Sequence, residues 1–301
     1  MVKKIIYILF VLLLLSGCNK SCSDGGDDDQ FVLPDSLLYK TKEIDPTVIE
    51  GFIEGMSNPV EMAALIKSLD VQYSSKHLAS TDNIEKFTTQ AQQAFNLGIF
   101  GTDLGYLNMY NKTNIVLDYI GAIKTLSDGI NVGQFFDFTT LKRLAQNNQN
   151  LDSLMYISVH SFNEMDRYLR EDNRSNLSVL IITGVWLEGM YLATQVYKEM
   201  PHPELKERIG EQKIVIDELM LFIKNFKQNR FFNVLITELD VLHKEFADVS
   251  ITVQKGEPEM IEEDGMLVIV QNDISTIEIS DTRVENIIKL TEQIRNKLIS
   301  N

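Results

Sequence analysis

The chain has 301 residues, with 28 Lys and Arg against 43 Asp and Glu, for a formal net charge of −15. Apolar residues make up 44% of it and charged residues 24%. These ordinary proportions exclude a mainly disordered chain, a multi-spanning membrane protein and a disulfide-stapled mini-domain. The acidic balance argues against nucleic acid as a partner, because phosphate neutralisation needs clustered Lys and Arg.

Residues 1–17 read as a leader. Lys3 and Lys4 are followed by an unbroken apolar run at residues 5–15 and then by Ser16, Gly17 and Cys18. At about 1.5 Å per residue such a run is too short for a hydrocarbon core of about 30 Å, so it reads as a signal-peptide core. Leu15-Ser16-Gly17-Cys18 resembles the lipobox of bacterial lipoproteins. The resemblance implies cleavage before Cys18, a diacylglycerol thioether on its sulfur and acylation of its new amine by a chain such as palmitate. An ordinary secretory leader with a chance cysteine at the cleavage site is the competing reading. No other segment is read as approaching eighteen apolar residues, so the expectation is a soluble body tethered through Cys18 to the outer membrane. Cys22 is the only other cysteine and has no internal partner for a disulfide.

Residues 18–38 form the expected tether. Ser, Gly and like-charged Asp dominate Ser23-Asp24-Gly25-Gly26-Asp27-Asp28-Asp29, which cannot bury apolar area. The stretch also resembles the acidic export signal of surface-exposed Bacteroidota lipoproteins. A plain spacer explains it as well, so the surface and periplasmic leaflets both stay open. Asp35-Ser36-Leu37 resembles the acceptor of Bacteroidota envelope O-glycosylation, which implies Ser36 as a glycan site. Asp152-Ser153-Leu154 has the same pattern, but there the serine is expected at a helix start packed on a core.

From residue 39 to 301 the pattern is helical, with one β interruption. Segments 46–56 and 59–69 each open on a proline, which the first turn of a helix tolerates. Thr81-Asp82 predicts the start of a long helical stretch to about Tyr110, followed by helices over about 114–127, from 139, and from 150 or 152 to 171. Further helices are predicted from Ser175 to before Pro201, over 203–227 and over 231–247. Leu151, Leu154, Met155, Ser158, Phe162, Met165 and Leu169 make one helical stripe, with His160, Glu164, Arg167 and Glu171 on the opposite, solvated face. Residues 250–253 and 266–270 read as two strands joined by a long acidic tip, with a short alternation at 276–279, so the hairpin occupies about 249–279. Ser280-Asp281 then caps a last amphipathic helix carrying Val284, Ile287, Ile288, Thr291, Ile294 and Leu298 on one stripe.

No hydrolase, zinc, phosphate-loop or C-x-x-C motif occurs, and the four histidines are dispersed. No catalytic residue, cofactor or metal is therefore expected. Ala91, Ala94, Gly98, Gly101 and Gly105 share one side of a helix, a stripe of small residues where another backbone can approach. The same helix carries Phe95, Ile99, Asp103, Tyr106 and Tyr110 together. On the Trp-containing helix, Glu188 falls among Leu177, Ile181, Gly184, Tyr191, Leu192 and Gln195. Apolar residues surround both helices, so both are central, and a carboxyl there must be hydrogen-bonded or neutralised. Two readings fit. One is a buried hydrogen-bond network that fixes helix register. The other is an internal polar pocket in which Asp103 and Glu188 are the acids and Tyr106, Tyr110 and Tyr191 orient a ligand. In the pocket reading Glu188 is expected to have a hydroxyl or amide partner, with Arg or Lys as the alternative.

Gly101-Thr102-Asp103-Leu104-Gly105-Tyr106, Asp152-Ser153-Leu154 and Gly184-Val185-Trp186-Leu187-Glu188-Gly189-Met190-Tyr191 resemble a group of helical Bacteroidota envelope lipoproteins of similar length, over about residues 85–200 plus the leader. The resemblance implies location and fold and brings no catalytic residues. The expected fold is all-α, a multi-helix bundle with a small antiparallel hairpin near the C-terminus. The expected role is non-enzymatic binding or assembly in the cell envelope, with an envelope protein or a small ligand as partner. An envelope hydrolase using Asp103 and Glu188 is the alternative. Whether those carboxylates meet a solvent-accessible cavity or are sealed in the core distinguishes the two.

Overall fold

Side-chain caps mark where some of the helices begin, Thr89 and Asn229 among them. In the computed structural model, α1 (Gln90–Met109) begins at a capping box. The Thr89 side chain accepts from the Gln92 amide at 3.2 Å, and the Gln92 side chain accepts from the Thr89 amide at 3.1 Å. This cap places the start eight residues beyond the expected Asp82, and only a short 3-10 turn, Ile84–Lys86, lies between them. The structure describes residues 66, 68–69, 71–82, 84–145, 151–256, 258–263, 266–271 and 274–300, all within one unit spanning 41–301. The expectations for Cys18, Cys22, Ser36, the tether and the segment 46–56 lie outside the described residues, as does most of 59–69.

α2 (Thr113–Gly129), α3 (Phe138–Ala145), α4 (Leu151–Glu171) and α5 (Ser175–Glu199) follow. α1, α2 and α4 end the same way. Asn111, Asn131 and Asn173 each take φ of 56–57°, a left-handed conformation that asparagine tolerates. The next residue then donates back across the end of the helix, Lys112 to Leu107 O, Val132 to Ser127 O and Arg174 to Leu169 O. α6 (Pro203–Lys224), α7 (Arg230–Phe246) and α8 (Asp281–Ser300) complete the described helices. Pro203 occupies the first turn of α6, and Ser280 Oγ accepts from the Arg283 amide at the start of α8.

α5 is the hub of the bundle. It packs against α1, α4, α6 and α8, while α2 covers the other side of α1 and α3 bridges α2 and α4. The most apolar eighteen-residue stretch of α5 has a mean hydropathy of 1.5, enough by length and composition to cross a membrane. Of that stretch 89% is buried by its neighbours, so its apolarity is that of a core helix. The small-residue stripe is divided: a Cβ on Gly101 would meet the Phe162 ring of α4, while Gly98 meets the backbone of α5. A Cβ on Gly98 would lie 2.1 Å from Ile181 O, and one on Gly184 would lie 2.1 Å from Phe95 O. α1 and α5 therefore touch backbone to backbone, and only glycine permits that approach.

The fold class stands as all-α with a small β ribbon, but the ribbon is paired differently from the expectation. β1 (Ser250–Gln254) pairs antiparallel with β4 (Ile274–Glu278), and β2 (Pro258–Glu263) pairs with β3 (Met266–Gln271). The expected acidic loop is thus largely a strand. Its partner strand begins at Met266, opposite Glu263. β1 and β4 are held to the bundle through α6, where the Ile277 side chain occupies the space left by Gly210.

Candidate functional site

Asp103, on α1, and Glu188, on α5, are both completely buried, at 0% exposure. Their helices bring them together because Gly98 and Gly184 let α1 and α5 approach so closely. α8 supplies the cation. Arg295 Nε donates to Glu188 Oε2 at 2.8 Å and its Nη2 to Glu188 Oε1 at 2.6 Å, a two-pronged ion pair. The same Nη2 lies 3.3 Å from His77 O, and the guanidinium carbon sits 4.3 Å from the centre of the Tyr191 ring. Glu188 therefore has the charged partner of the alternative reading, not the expected hydroxyl or amide.

Asp103 is held from two sides. Its Oδ2 accepts from the Ala79 amide at 2.9 Å, and its carboxyl lies within hydrogen-bonding reach of the Glu188 carboxylate. Tyr119 closes the same turn of chain by donating to Ala79 O at 2.6 Å. Burial, and then the neighbouring Glu188 charge, push the Asp103 carboxyl well above the ordinary aspartate range, against the opposing pull of Arg295 and the Ala79 amide. For Arg295, burial alone would disfavour the charge. The Glu188 carboxylate overcomes that effect and raises its pKa above the ordinary value. The centre thus consists of one guanidinium, the carboxylate it pairs with and a second carboxyl whose surroundings favour its protonated form.

The five residues expected to line one pocket separate into two groups. Asp103, Glu188 and Tyr191 meet at Arg295. Tyr106 and Tyr110 instead pack on Tyr73, with ring centres 5.8 Å from it and 4.9 Å from each other. The Tyr106 hydroxyl accepts from the Ser74 amide at 3.2 Å, and Lys112 Nζ lies 4.7 Å above the Tyr73 ring. Burial raises the Tyr106, Tyr110 and Tyr191 hydroxyls above the ordinary phenol value. At the edge of this group His77 Nε2 lies 3.2 Å from Glu199 Oε1, and burial lowers the pKa of this histidine.

Elsewhere, Glu164 pairs with Arg167 on its own helix, and His160 stacks beside Tyr156. Ser153, expected on a packed face, is exposed. Among the described residues no cluster of three His, Cys, Asp or Glu is arranged to hold a metal. A surface cleft of about 490 Å³ lies between α6 and β4, lined by Pro203, Lys206, Glu207 and residues 277–280. None of the expected site residues lines it. A smaller apolar crevice of about 60 Å³ between α1 and α4 is lined by Gly101, Gly105, Ser158 and Phe162, among others.

The sequence reading missed Arg295, although α8 carried a signal for it. Val284, Ile288, Thr291, Arg295 and Leu298 recur every three or four residues, so the arginine sits inside the apolar stripe. His77 and Ala79 contribute backbone atoms, which no side-chain pattern reveals. The chain matches no protein-family model, no curated protein and no solved structure.

Proposed function

We propose that this protein is a lipid-anchored component of the bacterial cell envelope, held at the outer membrane through Cys18, whose helical bundle serves binding or assembly and not catalysis. The lipobox-like Leu15-Ser16-Gly17-Cys18 after a short apolar run supports the anchor. The observation that carries the choice of binding over catalysis is the sealing of the two central acids. Asp103 and Glu188 have 0% exposure, and both Glu188 oxygens are bound by Arg295. A general acid or base must come within hydrogen-bond reach of its substrate. In this centre the guanidinium and the Ala79 amide occupy the positions a substrate would need. The arrangement instead suits a device that fixes the register of α1, α5 and α8, and the partner then meets the outside of the bundle.

Labelling with a fatty acid tests the anchor. Wild type is expected to incorporate label and fractionate with membranes, while Cys18→Ala does neither. Equal incorporation into both would overturn the anchor. Recovery of a hydrolytic activity that Glu188→Gln abolishes, in a variant that still folds, would overturn the non-enzymatic reading.

A further inference from the structure

The β2/β3 ribbon lacks the support that β1/β4 has. β4 packs on α6, whereas β2 and β3 pair with each other and have no substantial packing against any described helix. Each ladder is two-stranded, so the outer edge of β3 presents unpaired backbone amides and carbonyls among the described residues. An isolated two-stranded ribbon is marginal in water, and three or more strands are needed for independent stability. The two edges are also unlike in composition. β2 carries Pro258, Glu259, Glu262 and Glu263, the residue types that guard an edge against pairing. β3 runs Met266-Leu267-Val268-Ile269-Val270 without a charge or a proline.

We infer that the free edge of β3 pairs antiparallel with β3 of a second copy of this chain, forming a four-stranded sheet in the order β2–β3–β3–β2. The uncharged strand is matched by its own kind at the centre, and the acidic strands take the outside. Electrostatics permits this even in a chain of net charge −15. The two β2 strands are then three strand spacings apart, about 14 Å, which exceeds the screening length of about 8 Å at physiological salt. Pairing through β2 would instead bring Glu259, Glu262 and Glu263 of both copies within about 5 Å of one another. The acidic ribbon is equally unsuited to an anionic lipid surface. The pairing needs no lipid on Cys18, so it stands or falls separately from the anchor.

Sedimentation of the full chain in mild detergent, with reductant to keep Cys22 from cross-linking, measures the state directly. Wild type is expected to be dimeric at micromolar concentration. Val268→Lys, which puts a charge on β3, is expected to weaken the dimer at least tenfold with the melting of the helical bundle unchanged. Glu262→Lys, on β2, is expected to leave the dimer intact. Cross-linking in a Cys22→Ser background gives a second readout. About a two-fold axis one residue of β3 opposes its own copy, so one of Leu267→Cys, Val268→Cys or Ile269→Cys should form a disulfide-linked dimer on mild oxidation. The Cys22→Ser parent and Glu262→Cys should not. A wild type that stays monomeric to about 100 µM, a dimer indifferent to Val268→Lys, or equal cross-linking from β2 and β3 would each overturn the inference.

Discussion

Arg295 and Glu188, 107 residues apart in the chain, form a two-pronged ion pair that is closed to solvent, with side-chain exposures of 5% and 0%. Such a pair adds little over an apolar filling of the same shape, but losing one partner strands the other charge in a dry core. Glu188→Gln is therefore expected to destabilise the fold by about 3–5 kcal/mol, as for other broken buried pairs. Arg295→Met should cost at least as much, since it leaves two acids without their cation. The double variant Glu188→Leu with Arg295→Met should recover most of the loss. Denaturant melts followed by the fluorescence of Trp186, the only tryptophan in the chain, measure all three. A Glu188→Gln melt identical to wild type at pH 8 would contradict the assignment.

Asp103 sets a pH dependence of the opposite kind to a surface ion pair. Its folded carboxyl holds the proton more tightly than the unfolded chain does, where aspartate titrates near 3.9. The resulting stabilisation is complete below about pH 3.9 and disappears as pH rises through the folded pKa. Asp103→Asn keeps an acceptor for the Ala79 amide without any charge to lose. The variant should therefore gain on wild type in thermal melts as pH is raised from about 4 toward 8, until the folded pKa is passed. A difference that is constant across this range would show that Asp103 does not titrate there.

The glycines separate into contact positions and open ones. A methyl group at Gly98 or Gly184 meets backbone atoms 2.1 Å away, so α1 and α5 must move apart. Gly98→Ala and Gly184→Ala should each cost about 1–3 kcal/mol or more. Gly121 and Gly189 lie within α2 and α5 with nothing inside 4 Å of the new methyl. Alanine there should be neutral or stabilising by up to about 1 kcal/mol, through helix propensity alone. Equal effects at all four positions would mean that α1 and α5 are not in backbone contact.

Ser36 is proposed as a glycan acceptor on its resemblance to an Asp-Ser-apolar motif. Intact-mass measurement of native protein and Ser36→Ala should differ by far more than the missing oxygen. A difference equal to the substitution alone would remove the site.

The helices were largely legible in the sequence because their caps and stripes are local. The stripe from Leu154 to Leu169, the proline at 203 and the Ser280-Asp281 start each marked a helix, and the Ala/Gly face of α1 announced a close neighbour. Thr81-Asp82 misled, because an acidic cap residue is a frequent signal, and the stronger reciprocal box at Thr89 and Gln92 lay further on. The centrality of Asp103 and Glu188 was legible too, since each interrupts an apolar helix face. Their partner was not, because it joins α5 to a helix more than a hundred residues away. The strand partners failed for a related reason. Two β-rich runs looked adjacent, yet β1 waits for β4 while β2 and β3 close inside them.

The position of Arg295 also bears on how the molecule is completed. A ribosome delivers Ala79, Asp103 and Glu188 long before α8, so a growing chain holds both acids before the cation that pairs with Glu188. Collapse of α1 onto α5 at that stage would bury Glu188 without its partner, either at a cost of several kcal/mol as an ion or with uptake of a proton. Docking of α8 supplies the missing partner, so Arg295 acts as a latch on a centre that is incomplete without it. Contacts this distant in sequence slow folding in general. Here they also make the last described helix the element that completes the centre.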